Sequence, residues 1–492
     1  MSDKLPAAPS TSQAATLGTR LSRRTFLWLS GLASLAGSAL RRADAAESAV
    51  AAPAVAAPSA AQIEEWNALL AECGNFPLYS ALFGRRSRRF GWGMEIPRGP
   101  LQFKSEKPPT GLDDFERSLL IAAGLGVSGH HFGIPYSDAE PGLATYAARY
   151  TGRTAPAAAG IGNCDMFYTD DTGTYFVSTR DASDDGNWAH DRLSDAERLI
   201  AGVKDRTRQL DAKRVELPRE EPHYSAHNVW NANVPGSTVF MPVANVSEEL
   251  IGFLFIVAGS GYTVFDDLHG RPAGDLEPFF KSGLLNPEKK YALSYMEQYI
   301  LTCSGVEMGD IGHNIALALQ TIGLGGWFFS GISPFSLMGA GAAKGIRGLG
   351  FSFETNPKWG VPNPVGLEGV YEGYCPPFHR DMRAAVQAYV DLKFGKGGTY
   401  DPASPGPFLD NAKIKGAAQP PEPELVEAVV KIAEYIHATF GKFPGTVPTI
   451  YMRFYTQAHR LETAFYDKFM RDPYLSTHAR NVARWLKKLA QT

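Results

Sequence analysis

Apolar residues recur at helical spacing over residues 61–70, where Trp66, Leu69 and Leu70 fall on one face, and this pattern predicts the first folded helix. A second helix is predicted over Leu112 to Leu125, with Leu119, Leu120 and Ile121 set among small residues. Gly173 to Ser178 reads as a strand, and the densely charged stretch from Asp181 to Val215 as a solvated helical excursion. From Ser237 the texture changes. Thr238 to Val243 and Ile251 to Val257 are β-rich apolar runs, and the second suits a central buried strand. Helix returns over Tyr291 to Ile322, and Gly323-Leu324-Gly325 then turns the chain into another apolar strand through Phe329. Phe394 to Pro423 is rich in Gly and Pro and reads as a long surface loop, followed by helices over Leu425 to Thr439 and Thr449 to Phe469. Strands interleaved with helices indicate an α+β sandwich around one mainly antiparallel sheet.

The chain has 492 residues, 44% hydrophobic and 20% charged, enough for a large core. The formal net charge of -3, with arginines clustered only locally, argues against a nucleic-acid partner, which wants a broad basic face. Ser22-Arg23-Arg24-Thr25-Phe26-Leu27 precedes a short apolar run ending at Leu40 and then Ala43-Asp44-Ala45, the pattern of a twin-arginine export signal with a small-residue cleavage site. That run is shorter than the roughly 20 residues that span a bilayer, so removal is expected rather than stable anchoring. The implied division is a signal peptide over 1–45, an Ala/Pro-rich linker over 46–61, a core domain over 62–384 and a loop and helical extension over 385–492. The implied location is periplasmic or secreted, with the twin-arginine machinery as a partner. Cys73, Cys164, Cys303 and Cys375 are too widely spaced to give a disulfide framework or a metal signature.

Arg85-Arg86-Ser87-Arg88-Arg89 places four guanidinium groups and a hydroxyl in five residues. The planar fork of arginine suits a phosphomonoester, because it donates two parallel charge-assisted hydrogen bonds. A solvated basic patch is the bland alternative. This run, Ser128 with His130-His131, and the helix through Asn314 ending in Gly323-Leu324-Gly325 resemble, in order, the motifs of the flavin-dependent nitroreductase-like family. The resemblance covers most of Ser80 to Gly373. It implies FMN as cofactor, its phosphate and ribityl chain held by Arg85, Arg86, Ser87 and Arg89, and Ser128 near the flavin. His131 stands where the family has a flavin-contacting Asn; His130 and His131 are candidates for proton transfer, with His131 taken as the catalytic residue. Asn314, Gly323, Leu324 and Gly325 would lie beside the isoalloxazine ring, where missing Cβ atoms permit close approach. Arg380, after a Gly-Tyr segment similar to the family's, would close the phosphate site in competition with Lys344, Arg347 and Arg383.

The resemblance further implies a homodimer with shared flavin sites and an oxidoreductase acting on a small organic substrate by hydride or electron-pair transfer. Its electron partner is open, because no soluble nicotinamide pool is expected outside the inner membrane. Two alternatives stand beside this reading: a flavin-free binding protein on the same fold, and a metal-dependent hydrolase assembled from His130, His131, Glu307 and His313.

Overall fold

The computed structural model describes residues 57–138, 143–157, 161–182 and 195–491. The leader motif, its cleavage site and most of the linker lie outside the described residues. The described residues up to Glu354 and from Asn363 onward make up one unit, from which the loop Thr355–Pro362 is set apart. The fold is α+β, as the interleaved pattern predicts.

Its centre is a sheet whose strands are β1 (Cys164–Asp170), β2 (Gly173–Val177), β3 (Thr207–Asp211), β4 (Ser237–Asn245), β5 (Gly325–Phe329), β6 (Ile450–Tyr451) and β7 (Tyr455–His459). They run in the order β5-β7-β4-β1-β2-β3, with β6 also on β4, and every pairing is antiparallel. Both faces are covered. Along β4, Phe240 and Ala244 enter one core with the helices, while Val239, Met241 and Val243 enter a second core with Trp327, Phe329 and Tyr455. This period-two alternation fixes the register, since a one-residue slip would exchange the two cores.

The helices that position the candidate site are α1 (Ala60–Gly74), α2 (Leu78–Gly84), α3 (Asp114–Leu125), α4 (Ala196–Lys204), α5 (Val246–Gly259), α6 (Leu293–Ile322), α7 (Met382–Phe394), α8 (Pro423–Phe440), α9 (Thr463–Phe469) and α10 (Ser476–Leu489). Two sequence expectations fail. The run Ile251 to Val257 is no strand but the middle of α5, which buries Leu250, Ile251, Leu254, Val257 and Ala258. A helix apolar on most sides carries the same continuous signature as a buried strand, and the Asn245 side chain, accepting from Glu248 N, starts the helix. The expected helix over Thr449 to Phe469 is instead β6, β7 and then α9. β7 lies between β5 and β4 although Thr456, Gln457 and His459 are polar, because both its edges are paired and Gln457 bonds to Asn233 N and Asn231 O. The charged excursion from Asp181 to Val215 holds α4 and then β3.

One carboxylate ties three of these elements. Glu116, in the first turn of α3, is fully buried. Its Oε1 accepts from Arg460 Nη1 (3.0 Å), Asn481 Nδ2 (3.2 Å), Arg484 Nη2 (2.5 Å) and Trp485 Nε1 (3.0 Å). Its Oε2 accepts from Arg460 Nη2 (2.6 Å) and Asp113 N (3.0 Å). The Arg460 guanidinium also lies 3.4 Å from the centre of the Trp485 ring. Burial alone would raise the Glu116 pKa, but Arg460 and then Arg484 hold it well below the usual carboxylate range.

Removing one partner of a buried pair leaves an uncompensated charge, so Glu116→Ala is expected to cost about 3–5 kcal/mol in unfolding free energy. Urea denaturation followed by far-UV dichroism measures it; a loss under about 1 kcal/mol, the scale of a surface pair, would contradict this role.

Candidate functional site

Helix α2 stops at Gly84 because Arg85 takes an extended conformation (φ -62, ψ 123). The arginine run is therefore extended, and successive side chains part company. Arg85, Arg86 and Ser87 are exposed, while Arg88 is buried. Arg86 Nη1 turns back onto Phe83 O and Arg85 O. Arg88 donates to Pro473 O (2.8 Å), Gln320 Oε1 (2.6 Å) and Gly84 O (3.2 Å), so each of its three nitrogens is engaged inside the fold and the side chain serves as a buried anchor.

The backbone of Arg88 pairs with β5: Arg88 N donates to Gly326 O (3.0 Å) and Gly326 N to Arg88 O (2.9 Å). The arginine run and the residue that follows the Gly-Leu-Gly turn, remote in sequence, are thus hydrogen-bonded neighbours. Gly323 closes α6 in the left-handed conformation (φ +81), and a Cβ there would lie 2.1 Å from Thr477 O. Gly323 N and Leu324 N both donate to Leu319 O. A Cβ on Gly325 would meet the buried His459 ring at 2.8 Å. These glycines therefore serve the close packing of α6, β5 and β7, and the N–H groups of Gly323, Leu324 and Gly326 are spent inside the fold.

Arg89 emerges beside β5. Its guanidinium lies 5.2 Å from the Trp327 ring centre and 5.8 Å from that of Trp230. Its Nη2 donates to His227 O (2.8 Å), Asn228 Oδ1 (2.5 Å) and Asn231 Oδ1 (3.3 Å), all neutral acceptors, and its buried Nε has no partner. Burial draws its pKa down from the ordinary arginine range. A cleft of 390 Å³ opens here, walled by Trp327 and Phe329 on one side and by Ser225, His227 and Asn228 on the other. Sequence motifs gave no sign of that second wall.

The remaining predicted residues lie apart from this cleft's lining. Ser128 is exposed on a short strand, Val127–His130, paired with Thr151–Arg153. His131 Nε2 is 2.6 Å from Arg149 O, and its Nδ1 accepts from Gly133 N (3.1 Å), so both ring nitrogens are engaged; burial lowers its pKa. Asn314 Nδ2 donates to Thr154 O (3.0 Å), which places Ser128, His131 and Asn314 around the segment Thr151 to Thr154. Arg380 is exposed and paired with Asp381 (3.0 Å). Glu307 is engaged by Arg153 and by the backbone of Asn163 and Cys164. No group of three metal-ligating side chains occurs among the described residues.

Known families and relatives add little. No protein-family profile and no curated protein matches the chain. Among solved structures, it is similar to a provisionally assigned nitroreductase from Ralstonia eutropha JMP134 at 14% identity, over 52% of this chain and 71% of that one, with a TM-score of 0.23. A superposition this loose carries no argument about chemistry.

Glu249 of α5 is buried, with no ion-pair partner among the described residues. Asn163 Nδ2 and Ser304 Oγ bond to its Oε2, while the neighbouring Glu307 and Glu248 take Arg153, and Arg149 with Arg180. Desolvation first, and then the Glu307 charge, push the Glu249 carboxyl up to about 8. A carboxyl raised in the folded state stabilises the fold fully below its unfolded pKa, here 4.5, and loses that contribution as pH rises through 8. Glu249→Gln cannot ionise. Its melting temperature relative to wild type should therefore climb between pH 5 and pH 8 and level off above; parallel curves for the two proteins would show that Glu249 is already ionised at neutral pH.

Proposed function

We propose that this chain is an FMN-dependent oxidoreductase of the nitroreductase-like family, exported by the twin-arginine route and acting outside the cytoplasm on a small organic substrate. The observation that carries the reading is the direct backbone pairing of Arg88 with Gly326, the residue next to Gly323-Leu324-Gly325, which brings the arginine run beside the glycine turn. Two independent partial motifs would have no reason to meet if both were coincidental.

The donor set fits a phosphorylated aromatic group. Arg85, Arg86 and Ser87 stand at the surface, and Arg89 is a half-buried cation with no ion-pair partner among the described residues, next to the Trp327 and Phe329 rings. Bound there, FMN would supply two-electron redox chemistry, while the arginines neutralise its phosphate and the aromatic wall keeps water from one side. A second reading, a flavin-free binding protein, is favoured by the inward-turned N–H groups of Gly323, Leu324 and Gly326. The visible spectrum of the purified protein separates the two. If Arg85 binds the phosphate, Arg85→Ala should fold, lose at least about thirty-fold in FMN affinity and purify colourless. Flavin retained at wild-type occupancy would reduce the cluster to surface charge.

A homodimer accounts for the separation of the two sets of residues. Ser128, His131 and Asn314 of one copy would complete the arginine site of the other. The apolar surface such a contact needs is present. Tyr295, Tyr299 and Val306 on α6 are 60%, 43% and 58% exposed, and Leu78, Tyr79 and Phe83 on α2 are 62%, 73% and 78% exposed. Apolar groups in such numbers on a helix face mark an interaction surface. Sedimentation of the wild type should give a dimer, and the pair Tyr299→Lys with Val306→Lys a monomer with weakened flavin binding. A wild-type monomer holding shielded FMN would rule out the shared site.

A further inference from the structure

The second wall of the cleft is built from the segment 223–231, which carries none of the recognised motifs. It is pinned to the chain just after β5: Ser225 N and Oγ both donate to Gly331 O (3.0 and 3.3 Å), Ser333 N donates to His223 O (2.9 Å), and Tyr224 bridges Ile332. Asn228 holds the wall together, its Nδ2 donating to Ser225 Oγ (3.2 Å) and its Oδ1 accepting from Arg89 Nη2. The fit between wall and strand is close, since a Cβ on Gly331 would lie 1.8 Å from Asn228 Nδ2 and 2.6 Å from Ser225 Oγ. His227 is exposed at the rim, with Nε2 3.5 Å from Ser225 Oγ.

Charge decides what such a cleft takes. Its lining contains one guanidinium and no carboxylate, and that guanidinium is partly desolvated, with a buried Nε left unpartnered. A cation in that state is costly unless an anion joins it. The Asn228 amide has a second N–H beyond the one given to Ser225 Oγ, and His227 brings an imidazole to the rim, donors that can complete a phosphate's hydrogen bonds once arginine has supplied the charge, while the Ser225 hydroxyl ties the wall to Gly331 O.

We propose that His227 and Asn228 form, with Arg89, the binding site for a phosphomonoester dianion, with Ser225 as the positioning residue that holds their loop to Gly331. The inference rests on the flavin reading only for the bearer of that phosphate. Calorimetric titration of the full chain with inorganic phosphate, FMN and riboflavin tests it, using Ser225→Asp, which sets a carboxylate beside Arg89, and His227→Ala at an exposed position. Wild type should bind inorganic phosphate; Ser225→Asp should weaken that binding at least about ten-fold and His227→Ala a few-fold. FMN should lose affinity in parallel while riboflavin does not. Phosphate binding that is absent from wild type, or unchanged in folded His227→Ala, overturns the proposal, as does FMN that binds but no more tightly than riboflavin. Should FMN fail to bind while phosphate binding still collapses in Ser225→Asp, the flavin reading falls and the anion site stands.

Discussion

The carboxylate of Glu116 sets the constraint on which the rest of the described fold depends. It lies at the start of α3, yet its donors come from the residue after β7 and from α10, at the far end of the chain. A buried carboxylate must be matched or neutralised, and here two guanidiniums, an amide, an indole and a backbone N–H match it. Satisfying Glu116 therefore fixes where Arg460 lies. Arg460 follows His459, and with it the register of β7 between β5 and β4 is set.

From that register the candidate site follows. β7 places Ala458 opposite Gly326, and Gly326 in turn pairs with Arg88. Arg88 is anchored by Gln320 and Pro473, so the extended run can turn only Arg89 toward the cleft and must leave Arg85, Arg86 and Ser87 at the surface. A basic run that composition describes as uniform is thereby divided into an anchor, a cleft cation and free donors. The last hundred residues are integral to this arrangement, because β7 and α10 both come from them.

Much of this was legible beforehand. The helix over Leu112 to Leu125, the long helix ending at Gly323 and the strand after it declared themselves through periodicity and glycine, both local signals. The arginine run and the glycine turn were also visible as chemistry. The wall carrying Ser225, His227 and Asn228 was not, because its residues have no distinctive spacing and matter only through what faces them.

The sequence by itself determined the α+β pattern, the cluster of guanidiniums and the turn at which a long helix must stop, since each depends on residues within a few positions of one another. Tertiary structure alone decided that Ile251 to Val257 is helix and that the polar Tyr455–His459 is a central strand. It also decided that Arg88 is a buried anchor while Arg89 lines the cleft. Those outcomes turn on hydrogen-bond partners hundreds of residues away, Gln320 and Pro473 for Arg88, Asn231 and Asn233 for Gln457. A buried polar group goes where its partners are, and hydrophobic periodicity carries no record of where that is.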